Sequence, residues 1–71
     1  MKPFDVIRNL DGAVIKTIFH TCVTNATKEF VAGIELPRGT DWHVMSRLLA
    51  LVWHRDGGRV VVDYHVELCR D

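Results

Sequence analysis

The sequence has no surplus of charge of either sign: nine lysines and arginines stand against nine aspartates and glutamates, and the pI is near 6.9. A protein that grips nucleic acid through its phosphates needs a basic excess, so that class is disfavoured. No apolar run approaches the length that spans a bilayer, so no membrane segment is expected. The N-terminus, Met1-Lys2-Pro3-Phe4-Asp5, reaches an acidic residue at once and lacks the apolar stretch of a signal peptide. There are only two cysteines, Cys22 and Cys69. One possible pair is too few for a disulfide framework, so both thiols are expected free in a reducing cytoplasm. Without secretion, the glycosylation-type triplet Asn25-Ala26-Thr27 is only a polar turn.

What is present fits one small globular domain over residues 1–71. Hydrophobic residues make up 48% and charged residues 25%, which excludes disorder. A chain of 71 residues buries a modest core and has little room for an elaborate cleft.

Hydropathy patterning gives the elements. Asp11-Gly12 lies between two apolar stretches and is a favoured pair for a two-residue hairpin turn. Folding there sets Leu10 opposite Ala13, Val6 opposite Thr17 and Phe4 opposite Phe19. It places Phe4, Val6, Leu10, Ala13, Ile15 and Phe19 on the core face. A helical reading of residues 4–20 is the local alternative, since short apolar runs fit either period. Thr24–Thr27 reads as a second turn, and residues 29–36 alternate as a strand with Phe30, Ala32, Ile34 and Leu36 inward. Pro37-Arg38-Gly39 then stops it. Thr40 is a good N-cap, and a helix is expected to about Arg55, with Gly57 as its stop. Residues 59–70 alternate again, with Val60, Val62, Tyr64, Val66 and Leu68 to one side and Asp63, His65 and Glu67 to the other. The expected fold is α+β: a four-stranded, mostly antiparallel sheet with one helix packed on one face, in the order β-β-β-α-β.

Two surfaces exceed what a core needs. On the expected helix, Val44, Met45, Leu48, Leu49, Leu51 and Val52 fall together with Trp42 and Trp53 at one margin. Ser46, Ala50, His43, His54 and Arg47 form the polar side. The apolar arc is roughly 200° wide, where a helix lying on a sheet needs little more than 100°. Both tryptophans are therefore candidate anchors, for a partner or for a homodimer through the helix edge, or else a roof over a small core. The open sheet face is expected to gather Glu29, Glu35, Asp63, His65 and Glu67 among valines and isoleucines. Such a face suits a partner's basic groove, although a solvated face is the simpler use of strand charges.

Site chemistry is thin. His20, Cys22, His65 and Cys69 are the residue types of a zinc shell, but no Cys-x-x-Cys knuckle occurs, and alternate strand residues stand about 7 Å apart. Cys22 with His20 lacks a third, orienting group for nucleophilic catalysis. Gly57-Gly58 follows the expected helix and so is no phosphate loop. No catalytic residue, metal or cofactor is expected.

In size and architecture the whole chain resembles the small anti-CRISPR proteins of phages and mobile elements. Those proteins share no diagnostic motif, so no residue role carries across by pattern. The resemblance implies a non-enzymatic inhibitor that binds a subunit of a Cas effector complex, in the host cytoplasm, and blocks target-DNA engagement by occupancy. Glu29, Glu35, Asp63, His65 and Glu67 would then meet a basic surface, with Trp42 and Trp53 as apolar anchors. The neutral net charge departs from the strongly acidic, DNA-mimicking members and fits subunit blocking better. The alternative is a small nucleic-acid-binding or regulatory domain that uses the open sheet face.

Overall fold

The computed structural model describes residues 1–69. The chain runs β1 (Lys2–Arg8), β2 (Val14–His20), α1 (Val23–Ala32), β3 (Asp41–Val44), β4 (Leu49–Asp56) and β5 (Arg59–Leu68). The α+β class and the single helix agree with the sequence reading. The sheet has five strands rather than four, in the spatial order β2-β1-β5-β4-β3, and the chain order is β-β-α-β-β-β. Every neighbouring pair is antiparallel.

The helix lies where a turn and a strand are expected. Val23, Ala26, Thr27 and Phe30 are its buried residues, the i, i+3, i+4, i+7 spacing of one helical face. Thr27 is tolerated inside because its hydroxyl donates to the Val23 carbonyl at 2.8 Å. The alternation of residues 29–36 fits a strand equally well by pattern, but only the first four of them are helical, and Leu36 packs on the core from the loop beyond. Together the helix and this loop carry the chain from the β2 edge of the sheet to the β3 edge.

Residues 40–55 are a hairpin instead of a helix. β3 and β4 pair through Trp42↔Val52 and Val44↔Ala50. Gly57 and Gly58, with φ of 58° and 83°, form the two-residue turn that sets Asp56 opposite Arg59. Both central positions of such a turn need positive φ, which glycine supplies without a Cβ clash. The over-wide apolar arc has its cause here. A strand shows one row to the core and the next row outward, and on a helical wheel the two rows merge.

The first hairpin forms, one residue out of the expected register. Phe4 faces Ile18 and Pro3 faces Phe19. A shift of one residue exchanges the faces of β2, so Ile18 is 3% exposed while Phe19 is 63% exposed. Leu10, expected on the core face, lies in the turn and is 91% exposed. The turn itself explains the shift. Arg8 N–H donates to the Ala13 carbonyl, and Asp11 acts through its side chain, accepting from the Ala13 amide at 3.1 Å and from both Nε and a terminal nitrogen of Arg8. Only Gly12 takes positive φ, at 72°. Ile15 is left as an extra residue in β2 between the pairs Ile7↔Val14 and Val6↔Lys16.

The Arg8 hydrogen bonds hold the Asp11 carboxyl down to about 2 from 3.8, with the Ala13 amide adding to the effect. A carboxylate depressed by folding supports the fold above its ordinary range and loses that support as pH falls through its folded value. The β1–β2 turn is therefore expected to hold unchanged to pH 3.8 and to loosen toward pH 2. A carboxyl-resolved NMR titration checks this; an Asp11 midpoint at the ordinary value means the ion pair is absent in solution.

The core sits between α1 and one face of the sheet. Phe4, Val6, Ile18, Ala50, Val52 and Val66 from the strands meet Val23, Ala26 and Phe30 from the helix. Phe30 and Tyr64 make an edge-on contact with ring centroids 5.1 Å apart. With only ten residues of helix over five strands, the opposite face has no cover among the described residues.

Candidate functional site: the uncovered sheet face

The uncovered face follows from alternation. Residues between the buried ones of β1, β4 and β5 point away from the helix, and the register lines them up in rows. One row crosses all five strands as Val14, Ile7, His65, Leu51 and His43. The next runs Thr17, Asp5, Glu67 and Leu49. Phe19 lies at the β2 edge, opposite Pro3. Trp53 lies toward the β3 edge, between Asp41 and Val62.

Polar contacts fix several of these side chains. Trp53 Nε1 donates to His43 Nδ1 at 2.8 Å while the two rings stack with centroids 5.4 Å apart. That bond uses the ring lone pair, so His43 carries its proton on Nε2. The Arg55 guanidinium lies 5.7 Å from the Trp53 ring centroid. His65 Nδ1 is 3.3 Å from Asn9 Oδ1, and its Nε2 is 4.0 Å from Glu67 Oε2.

On this face the register sets two carboxylates, Asp5 and Glu67, directly opposite each other on neighbouring strands. Like charges directly opposite one another in an antiparallel pair are destabilising. Thr17 Oγ1 donates to Asp5 at 2.8 Å, and among the described residues no lysine or arginine forms an ion pair with either carboxylate. Both line a groove of about 580 Å³ at the end of the sheet, together with Ser46, Leu48, Leu49, Leu68 and Cys69. Two carboxylates in one groove make it a favourable place for a cation brought from outside.

The structure divides the residues singled out from the sequence. His65, Glu67 and Trp53 share the uncovered face. Glu29 is on the exposed side of α1, 4.0 Å from His20 Nε2. Glu35 is in the loop after the helix. Asp63 is the extra residue of a bulge in β5, between the pairs Val52↔Tyr64 and Trp53↔Val62. Its carboxylate accepts from His54 Nδ1 at 2.6 Å, both side chains being largely buried. A single acidic face made of Glu29, Glu35, Asp63 and Glu67 therefore does not exist. Its premise was a strand over 29–36, and that segment is helix and loop.

Trp42, opposite Val52 on the covered face, packs against the core, half-buried. The helix margin that would stack it with Trp53 for a homodimer has no counterpart, because strand alternation sends the two indoles to opposite faces. His20 pairs with Lys2 on the helix side of the sheet, whereas His65 is on the uncovered side, so the cysteine–histidine quartet is also divided. No group of three or more potential metal ligands occurs among the described residues.

Asp5, Leu49, Leu51 and His43 were missed as site residues. Asp5 is legible from the sequence, since it alternates with Phe4 and Val6, which point to the core. The other three were hidden by the helical reading of 40–55. The chain matches no family model, no curated protein and no solved structure.

Proposed function

We propose that the protein is a non-enzymatic interaction module of the inhibitor type, which docks its uncovered sheet face on a basic surface of a protein partner and acts by occupancy. The observation that carries this reading is the Asp5–Glu67 pair, which forms no ion pair with a lysine or arginine among the described residues and is bordered by a row in which Val14, Ile7 and Leu51 alternate with His65 and His43. Five strands, most of them seven to ten residues long, give a face of roughly 500–800 Å². That approaches the roughly 800 Å² that each side of a standard interface contributes. A partner's lysines or arginines would meet Asp5 and Glu67, and Leu49, Leu51 and Trp53 would supply the apolar part. The resemblance to anti-CRISPR proteins names the kind of target: a nucleic-acid-processing complex, such as a Cas effector subunit, whose basic groove is occupied before DNA reaches it.

The test is affinity capture from host extract, with mass spectrometry, using the wild-type protein and the Asp5→Lys/Glu67→Lys variant. The wild type is expected to retain a protein with a basic groove, and the variant to lose about tenfold or more in affinity while staying folded. Equal capture by both proteins sinks the reading.

A second reading has one observation in its favour. Phe19 and Trp53 stand on the uncovered face, where single-strand binders carry stacking aromatics. Quenching of tryptophan fluorescence by an oligonucleotide, weakened by salt, would favour a small nucleic-acid-binding domain instead.

A further inference from the structure

A second concave surface opens toward the helix side of the molecule and meets the groove beside Asp5 and Glu67 at Ser46, Leu48 and Leu68. It is a groove of about 550 Å³ between the start of α1 and the β3–β4 turn. Phe4, Val23, Val44, Leu48 and Leu68 give it apolar walls. Its charged residues are Lys2 and Arg47, and among the described residues no carboxylate lines it. Neither cation forms an ion pair among the described residues. Its size and its mainly apolar lining with a few polar groups are those of small-molecule sites, which run roughly 300–1,000 Å³.

We infer that this groove binds a small amphipathic carboxylate, an alkyl chain of medium length carrying one acid group. The chain would lie along Phe4, Val44, Leu48 and Leu68, and the carboxylate would sit between Lys2 and Arg47. The positive potential is not confined to those two side chains. The first turn of α1 has no acidic residue, and its N-cap, Cys22, makes no side-chain capping hydrogen bond. The amides at the start of a helix point out of its N-terminal end and favour an anion there. Charge decides the class of ligand. An alkyl ammonium would meet two cations with no counter-charge, and a neutral alcohol would leave both unpaired.

The probe is decanoate, titrated below its micelle concentration and followed by amide chemical shifts. Saturable shifts are expected at Val23, Thr24 and Arg47, which line this groove and not the one beside Asp5 and Glu67, with none from decyltrimethylammonium. Lys2→Glu/Arg47→Glu is expected to weaken decanoate by about tenfold or more with the spectrum otherwise unchanged. Should the double variant fail to fold, Arg47→Gln serves, because Arg47 is exposed in a turn. The inference is overturned by absence of saturation, by equal binding of the cationic probe, or by shifts confined to the Asp5–Glu67 face. Tighter binding of a short peptide with an apolar C-terminal residue would also overturn it, since the groove would then be a peptide site.

Discussion

Ala50→Glu is expected to unfold the protein, whereas Leu51→Glu is expected to leave it folded. Ala50 is 0% exposed and lies between Val44 and Val66 on the face covered by α1. A glutamate there overfills a packed site and buries a carboxylate for which the surrounding core has no cation. The cost is several kcal/mol, against a total stability of about 4–10 kcal/mol for a domain of this size. Leu51 is half-buried on the uncovered face between His43 and His65, where a carboxylate keeps access to water. Its loss of apolar contact costs about 1–2 kcal/mol. Circular dichroism and amide dispersion measure both. A helix over 40–55 predicts the reverse order, because it puts Ala50 on the polar side and Leu51 in the apolar arc. A folded, cooperative Ala50→Glu protein would therefore restore the helix.

The second large effect tests the register of the first hairpin. Ile18→Ala is expected to cost about 2–5 kcal/mol, because the side chain is enclosed with Phe4 and Val23 in the core. Phe19→Ala is expected to cost under about 1 kcal/mol, although it removes the larger side chain, because Phe19 is mostly in water already. A two-residue Asp-Gly turn predicts the opposite ranking. Denaturant midpoints of the two variants decide the matter, and a costlier Phe19→Ala would mean that the chain pairs one residue away from the register described.

Legibility in the sequence tracked how many physical solutions each pattern allowed. The last strand was readable from Tyr64 onward, because strict alternation of large apolar and charged residues has one interpretation. His65 and Glu67 were accordingly placed on the outward side correctly. Phe4 and Val6 were assigned to the core for the same reason. The helix was not readable, since Thr24-Asn25-Ala26-Thr27 has the composition of a turn. Val23, Ala26, Thr27 and Phe30 reveal a helical face only once Thr27 is allowed inside, and that depends on its bond to the Val23 carbonyl. The Gly57-Gly58 pair serves equally as a helix stop and as a hairpin turn. Choosing the stop turned two strands into a helix and scattered the expected acidic face.

The sequence alone determined the Asp11-Gly12 reversal, the core role of Phe4 and Val6, the outward side of His65 and Glu67, and an apolar surplus beyond what one core consumes; the α+β class followed there from a helix placed on the wrong segment. These properties are local or compositional, and short-range sterics and water settle them. Which residues share a face was decided by the tertiary structure. Asp5 meets Glu67 because the last strand of the chain inserts beside the first, sixty-odd residues away. Trp42 parts from Trp53 because strand alternation sends them to opposite faces. No local preference encodes a pairing between distant strands. It arises when α1 can close over only one face of the sheet, and burying Ala50, Val52 and Val66 beneath it leaves the remaining rows to meet something else.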